Sequence, residues 1–479
     1  MERDFDVIVI GGGGAGLAAA IEAATAGASV MLLEAAEKLG GATALSGGVF
    51  YAAGTSAQRA MGIEGDTADA MFEYVMALNQ WALKADIIRH IADNSAPTLE
   101  WLVRLGAKFP FVVTSGVESV PRGHCCEGAG FELANALINA AGAAGVQTAM
   151  STRVERLLIE DGTVVGIHAS GMDLRAPSVI IATGGIGDNP ELRKRLFPAA
   201  AQHGTWTWTI HEGAPTIKGD GILMAEAIGA GVVGIDNGLP LPTAGFGKFV
   251  EAFLPPWTIV VNEGGRRFMP ETASFSVSGY LLNEQPGAHA FAVFDEPTLV
   301  EASNDGKYLD PFGTGMTTPT WQEATIREQV ANGRIKTADT IGGLAAQCGI
   351  DPAALEETVR RYNAGCAAGG DPQFLKKSPK YFPVGKAPFY AVEVRAAIVG
   401  GTGSGLDIDI ETQVLDGHGR AVPGLFAAGE TLGVVQGKRD AGGGMYIGSA
   451  VIFGRQAGRS AAAHAGVGQQ VRMPETVPG

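Results

Sequence analysis

The feature that most constrains this chain is a glycine fingerprint set between two short apolar runs near its start. Residues 6–10, Asp-Val-Ile-Val-Ile, are mostly β-branched and apolar, the pattern of a strand buried on both faces. Gly11, Gly13 and Gly16 follow at once as Gly-x-Gly-x-x-Gly, leading into an alanine-rich stretch at 17–26 that reads as a helix. Residues 28–34 then repeat the strand pattern and end in Glu34. Strand, tight turn, helix and strand make a βαβ unit. The first glycine permits the turn, the second lets backbone approach a pyrophosphate, and the third lets helix and strand pack closely. The helix start offers unpaired N–H groups and a positive dipole end to phosphate. Glu34, eighteen residues past Gly16, is placed to accept ribose hydroxyls. The unit predicts dinucleotide binding.

Composition narrows the class. Glycine supplies 70 of 479 residues, about twice the usual ~7%. It has no regular period, which excludes a collagen-like chain. The surplus must serve turns and close backbone approaches. The net charge of −15 comes without a basic stripe, which argues against nucleic acid. No apolar run approaches the ~18 residues of a membrane span, and the start, Met1-Glu-Arg-Asp-Phe-Asp, carries no signal pattern. The four cysteines have no Cys-x-x-Cys spacing. The adjacent Cys125 and Cys126 are expected to be reduced, partly buried thiols, with redox duty as the alternative. A cytoplasmic enzyme without a metal site fits these limits.

Further along, helices are expected over 66–105 and 131–141, with a loop at 106–130 between them. A strand is expected at 147–151, and a hairpin around Asp161-Gly162. A buried strand at 176–182 runs into Gly184-Gly185, and Gly219-Asp220-Gly221 opens a helix. Composition shifts near residues 239–243, and from there to about 394 strands and helices alternate without a fingerprint. The expectation is a domain at 1–240, an inserted α+β cap at 241–395, and a return to the first domain at 396–479. The return holds a short strand ending in Gly429-Glu430, then a glycine-rich entry at 442–448 into a long helix that runs to about 464. The tail from Gly466 is expected to fray.

The segment after Glu34, Gly40-Gly-Ala-Thr-Ala-Leu-Ser-Gly-Gly48, resembles the flavin-cradling stretch of two-domain FAD enzymes. With Asn262-Glu-Gly-Gly-Arg-Arg-Phe-Met-Pro-Glu271, Pro388-Phe-Tyr-Ala391, and the segments 424–430 and 442–455, the whole chain resembles the fumarate reductase/succinate dehydrogenase flavoprotein superfamily, closest to its ketosteroid dehydrogenase branch. The resemblance implies an α/β, Rossmann-type, glutathione-reductase-like FAD domain with the inserted cap. It implies FAD contacts at Gly11, Gly13, Gly14, Ala15 and Gly16, then at Glu34, Ala35 and Lys38. It adds Gly40, Gly41, Ala42, Thr43, Ser46, Gly47 and Gly48, and further on Val154, Ala182, Thr183, Gly184 and Asp220. Gly429, Glu430, Gly444 and Ile447 complete the set. The covalent branch carries a histidine after the second strand; none lies between Glu34 and Met76, so non-covalent FAD is expected.

The resemblance also implies hydride transfer between flavin N5 and a C–C bond beside a carbonyl, with a small-molecule substrate and an external electron donor or acceptor. Departures from the family then bear on the substrate. Fumarate reductases place a proton-donating arginine where Phe275 stands, a carboxylate-binding histidine where Leu241 stands, and a second histidine near Val399 or Gly400. Ketosteroid dehydrogenases place tyrosines where Phe275 and Asp440 stand and a ketone-polarising glycine where Gly444 stands. A dehydrogenase of a cyclic or steroid-like ketone is therefore favoured. An ene-reductase of an unsaturated carboxylate and an electron-transfer subunit are the alternatives.

The candidate catalytic residues are Tyr446, Gly444, Arg439, Asp440 and His124. The Gly444 N–H is a ketone donor or an ordinary helix start. Arg439 is a carboxylate or oxyanion fork or a partner of Asp440. Tyr446 is an acid or base or packs under the flavin. The base is Tyr446, Asp440, Tyr280 or a residue of the 106–130 loop. His124 acts in catalysis or is a solvated loop histidine. Tyr390, Arg266 and Arg267 read as structural, Arg395 as structural or entering the substrate site, and Trp206 and Trp208 as one face of a strand.

Overall fold

The computed structural model describes residues 3–213, 216–249, 253–309 and 319–467. The chain divides into two compact units: Met1–Pro198, Thr209–Leu239 and Gly401–Gly479 form the first, and Ala199–Trp208 and Pro240–Gly400 the second. The fraying expected from Gly466 lies, from residue 468 on, outside the described residues. Among the described residues no helix is long and apolar enough to cross a membrane.

The first unit is built on the expected βαβ start. Strand β1 (Val7–Ile10), helix α1 (Gly14–Thr25) and strand β2 (Val30–Leu33) follow in order. The turn into α1 is tight because a Cβ at Gly16 would lie 1.9 Å from the Gly11 carbonyl oxygen. Strand β3 (Val49–Tyr51) leads to α2 (Ala68–Leu78) and α3 (Ala85–Arg104). The helical region expected over 66–105 is these two helices, separated where Gln80 and Trp81 take positive φ of 55° and 59°.

The stretch at 106–130 is not a plain loop. It holds β4 (Phe111–Val113) and β5 (Gly123–Cys125), and β3, β5 and β4 pair antiparallel in a small sheet. Its alternation was hidden because three-residue strands are too short to show a period. Helix α4 (Ala129–Ala143) and β6 (Gln147–Ala149) come next. The hairpin of Val154–Glu160 and Thr163–Ala169 turns at Asp161 and Gly162, both at positive φ, as its Asp-Gly sequence predicts.

Strand β7 (Ser178–Ile181) and, late in the chain, β8 (Gln413–Leu415) and β9 (Ala421–Ala427) complete the main sheet. Its order is β8-β9-β7-β1-β2-β6, parallel except for β8. A parallel sheet is covered on both faces, and Val7, Ile8 and Val9 are fully buried. Helix α5 (Met445–His464) lies against α1. A Cβ at Gly454 would sit 2.4 Å from the Ala15 carbonyl oxygen, and one at Gly458 2.2 Å from that of Ala19. The two backbones therefore touch.

In the second unit, strand Phe389–Thr402 pairs with His289–Asp295, which pairs with Ile259–Val261. Side chains alternate between two cores, Val260, Ala292, Phe294 and Val392 on one and Ile259, Val261, Phe291 and Ala391 on the other. Arg267, on the Arg-Phe-x-x-Glu motif, is fully buried between Glu271 (2.8 Å) and Asp371 (2.7 Å), and Lys376 also binds Glu271 (2.9 Å). Two cations meet two anions, so the motif is a structural clamp. Trp206 is not on a strand: it ends the short helical turn Gly204–Trp206, and only Trp208 is extended.

The α1–α5 contact sets a stability test. Gly458→Val is expected to cost about 1–3 kcal/mol by forcing the helices apart, read as a lower urea midpoint. A variant as stable as the parent contradicts the close packing.

Candidate active site

The nucleotide-binding part is assembled at the carboxyl ends of parallel strands. Gly11 follows β1, Glu34 follows β2, Ala182, Thr183 and Gly184 follow β7, and Gly429 and Glu430 follow β9. Ligands of open α/β sheets bind on that edge. Within the fingerprint, protein packing requires every glycine but one: a Cβ at Gly11, Gly12, Gly14 or Gly16 would come within 2.6 Å of another atom, while one at Gly13 would meet nothing within 4 Å. Gly13 also caps α1 without a side-chain hydrogen bond, which leaves the Ala15 and Gly16 N–H groups of the first turn for a ligand. This fits a pyrophosphate.

Glu34 is buried, and its two oxygens accept the Gly12 N–H (2.7 Å) and the Ala36 N–H (2.8 Å). It shapes the turn, and its remaining lone pairs suit ribose hydroxyls. Thr43 accepts the Gly14 N–H, and a Cβ at Gly41 would lie 3.2 Å from Gly13 Cα. The 40–48 segment therefore runs against the fingerprint. Ser46 bonds to the Thr43 carbonyl, while Lys38 and Gly47 are exposed and Ala35 and Ala42 half-buried. Val154 is buried at the start of its hairpin. Asp220 pairs with Arg153 (2.6 Å), and Thr183 accepts the Gly221 N–H. Glu430 accepts both the N–H and the hydroxyl of Thr402, each at 2.8 Å. Orphaned polar atoms beside these segments, Thr431 Oγ1 and Gln436 Nε2, are buried with no protein partner. Together the cradle fits FAD.

The second part surrounds the start of α5. Gly444 is its N-cap at φ 103°, and a Cβ there would lie 2.8 Å from Tyr51 N. Its carbonyl accepts Tyr51 N–H, but its own N–H has no acceptor among the described residues. Tyr446 and Ile447, on the first turn, are half-buried. The Tyr446 ring lies against Gly401, and its hydroxyl is buried without a partner. Burial holds that phenol far above its ordinary pKa.

Asp440 is 2% exposed. Its Oδ1 accepts the Gly442 N–H at 2.6 Å, and its Oδ2 has no partner. It does not pair with Arg439. Burial, then the nearby Glu118, push its pKa up to about 7. The Arg439 backbone is instead clasped by Asn79, which caps α2 and bonds both Arg439 N–H and C=O. Tyr74, also on α2, donates to the Ala441 carbonyl (2.7 Å).

Several site neighbours escaped sequence reasoning. Glu118 is buried, its Oε1 on Ser115 N–H (2.7 Å) and its Oε2 unpartnered. Tyr51 is fully buried with an unbonded hydroxyl. Arg122 is locked to Asp66 (2.6 Å). These residues lie more than three hundred positions from Asp440, and no local pattern marks them.

His124 leaves the catalytic set. It is fully buried on β5, with Nε2 bonded to Thr55 Oγ1 (2.8 Å) and Nδ1 to the Arg122 carbonyl (2.9 Å). Both nitrogens are used, so it fastens the small sheet. Cys125 and Cys126 are buried free thiols, Cys125 pushed up to about 11 by burial, which makes them inert. In the second unit, Arg395 pairs with Glu393 (2.6 Å) and stacks on Trp206. Tyr390 bonds Glu296, and Phe275 packs on Phe253 at 5.9 Å. Among the described residues no group of His, Cys, Asp or Glu is arranged to hold a metal.

Glu34→Ala removes the ribose acceptor and orphans two backbone N–H groups, at about 1–3 kcal/mol per group. The expected result is a flavin dissociation constant raised at least about tenfold, read by fluorescence on gel-filtered protein. Unchanged retention overturns the role.

The family model described as FAD binding domain matches residues 6–446. A cytochrome fumarate reductase of Shewanella frigidimarina is 32% identical over 470 residues, covering 95% of this chain and 77% of its own length. A urocanate reductase of Eggerthella lenta is 31% identical, covering 97% and 75%. Among solved structures, the 3-ketosteroid Δ4-(5α)-dehydrogenase of Rhodococcus jostii RHA1, in complex with 4-androstene-3,17-dione, matches at 31% identity and a TM-score of 0.79, over 96% of this chain and 98% of that one. With the cradle and the sheet order in agreement, the chain belongs to the FAD-binding-domain family, among the flavoprotein oxidoreductases acting on CH–CH and C=C bonds that include the fumarate reductases and the 3-ketosteroid dehydrogenases.

Proposed function

We propose that this flavoenzyme uses non-covalently held FAD to move hydride to or from a C–C bond beside an uncharged carbonyl, as in a cyclic or steroid-like enone. FAD, when bound, supplies the two-electron carrier. The observation that carries the reading is the start of α5, where residues 440–446 carry an unpartnered Gly444 N–H, an unpartnered Tyr446 hydroxyl and a buried acid, Asp440, with one oxygen unbonded.

Each group has a task that a ketone needs. The Gly444 N–H and the Tyr446 O–H donate to the carbonyl oxygen as enolate charge develops, aided by the positive end of a twenty-residue helix. Tyr446 serves as donor and not base, because its burial opposes ionisation. Asp440 exchanges the proton of the α-carbon, since an acid near pH 7 works best in either direction. Gln436 and Thr431 offer further polar atoms to the cofactor.

The residues at the family's carboxylate-binding positions support a neutral substrate, while Arg439, next to Asp440, is the cation that the competing acid reading would use. A dicarboxylate asks for fixed cations, yet Phe275 and Leu241 stand at the family's cationic positions. Arg267 and Arg395 are tied to acids, and Arg122 is tied to Asp66. The ligand of the Rhodococcus jostii relative, 4-androstene-3,17-dione, is a ketone of the proposed class. The fumarate reductase relatives favour an unsaturated acid as the competing reading.

Anaerobic stopped-flow decides between them. The dithionite-reduced holoenzyme should be re-oxidised at least about tenfold faster by 2-cyclohexenone or a ketosteroid enone than by fumarate. Tyr446→Phe should slow that step about a hundredfold with flavin content unchanged. Preference for fumarate overturns the substrate class, and an unaltered rate in Tyr446→Phe removes that hydroxyl from the chemistry.

A further inference from the structure

Two buried carboxyl groups of the first unit share an unusual arrangement. Asp440 and Glu118 each give one oxygen to a backbone N–H, of Gly442 and Ser115, and each leaves the other oxygen without any hydrogen bond. Their exposures are 2% and 6%. The turns that carry them are stitched together: Gly443 N–H donates to the Ser115 carbonyl (2.9 Å), and the Ser115 hydroxyl donates to the Gly443 carbonyl (3.0 Å). A Cβ at Gly116 would lie 2.4 Å from Glu118 Oε2 and 2.1 Å from the Ala441 carbonyl oxygen. The Glu118 carboxyl is therefore folded back over its turn, beside the Ala441 carbonyl that follows Asp440.

We propose that Glu118 and Asp440 hold one proton between them, and that Glu118 is a positioning residue that keeps Asp440 in its acid form for proton exchange with the substrate. The part concerning exchange rests on the function proposed above; the shared proton does not.

Physical chemistry favours one proton over none or two. Two ionised carboxylates in this site would repel and would both be desolvated. A neutral pair would leave two acid protons with no acceptor beyond each other. Arg122 acts on Glu118 and favours its ionised form, but it is itself bidentate with Asp66 and does not act on Asp440. The other titratable neighbours are phenols, Tyr446 on α5, Tyr74 on α2 and Tyr51 on β3, all raised by burial. Glu430, beyond Tyr446, is bound to Thr402. Both carboxyls lie above their ordinary range, burial being the first cause in each.

The proton balance is simple. In the reducing direction hydride reaches the β-carbon, the C=C electrons move onto the carbonyl oxygen, and the O–H bond of Asp440 breaks as the α-carbon C–H bond forms. Asp440 is left as carboxylate and regains a proton from solvent. Dehydrogenation runs the same bonds backwards.

The test is an infrared pH titration of the substrate-free holoenzyme, where a protonated carboxyl shows its own C=O band. The wild type should show that band at pH 6, lost with a midpoint near 7, and Asp440→Asn should lack that titration. Glu118→Gln keeps the Ser115 acceptor and removes the charge that raises Asp440. Its midpoint should fall by about one unit, and the pH profile of single-turnover enone reduction, declining as pH rises, should shift down equally. No titrating band in the wild type, or an unmoved midpoint in Glu118→Gln, overturns the proposal. The wild-type titration stands even if a Glu118 variant fails to fold. A shifted band with no enone turnover keeps the shared proton and rejects the substrate reading alone.

Discussion

Everything in the first unit depends on the backbone contact between α1 and α5. At Gly454 and Gly458 there is no room for a side chain between the helices, and the half-buried Glu22–Arg455 pair (2.6 Å) joins the same two helices. One helix presents its N-terminus to the dinucleotide. The other begins with Gly444 and Tyr446. Because the two backbones touch, the distance between cofactor cradle and reacting groups is set by atoms that cannot relax. Glycine is the only residue that permits such an approach.

Buried charge is used in two opposite ways. Around Arg267 every charge is matched, with two carboxylates, two cations and the aromatic faces of Tyr362 and Phe374. Such a network specifies one packing and does little chemistry. Around Asp440 the matching is incomplete: one oxygen each of Asp440 and Glu118 and the hydroxyls of Tyr51 and Tyr446 lie buried without partners. Groups kept at such a cost in folding energy are expected where protons move. The contrast explains why Arg267 of the conspicuous Arg-Arg pair is structural, while the proposed site falls on the Asp-Ala-Gly-Gly-Gly stretch at 440–444.

Local signals made much of the fold readable. The fingerprint with its flanking strands, the Asp161-Gly162 hairpin and the glycine-led α5 each depend on neighbours within a few residues. The glycine surplus serves two ends: a Cβ at Gly13 would meet nothing within 4 Å, while at Gly16, Gly185, Gly454 and Gly458 it would strike neighbouring protein atoms. What stayed hidden depends on distant contacts. His124 looked like a loop residue until β3 and β4 closed around β5. Ser115, Tyr74 and Asn79 reach the 439–443 segment across more than three hundred residues. Burial created there by tertiary structure leaves no period or spacing to read.

The central claim is that the start of α5 receives an uncharged carbonyl oxygen. A crystal structure of the holoenzyme with a phenol, whose oxygen mimics the developing enolate, tests it directly. The account predicts that oxygen within hydrogen-bonding distance of both Gly444 N and Tyr446 Oη. A phenol bound elsewhere, with a carboxylate ligand taking the Gly444 N–H instead, would contradict it.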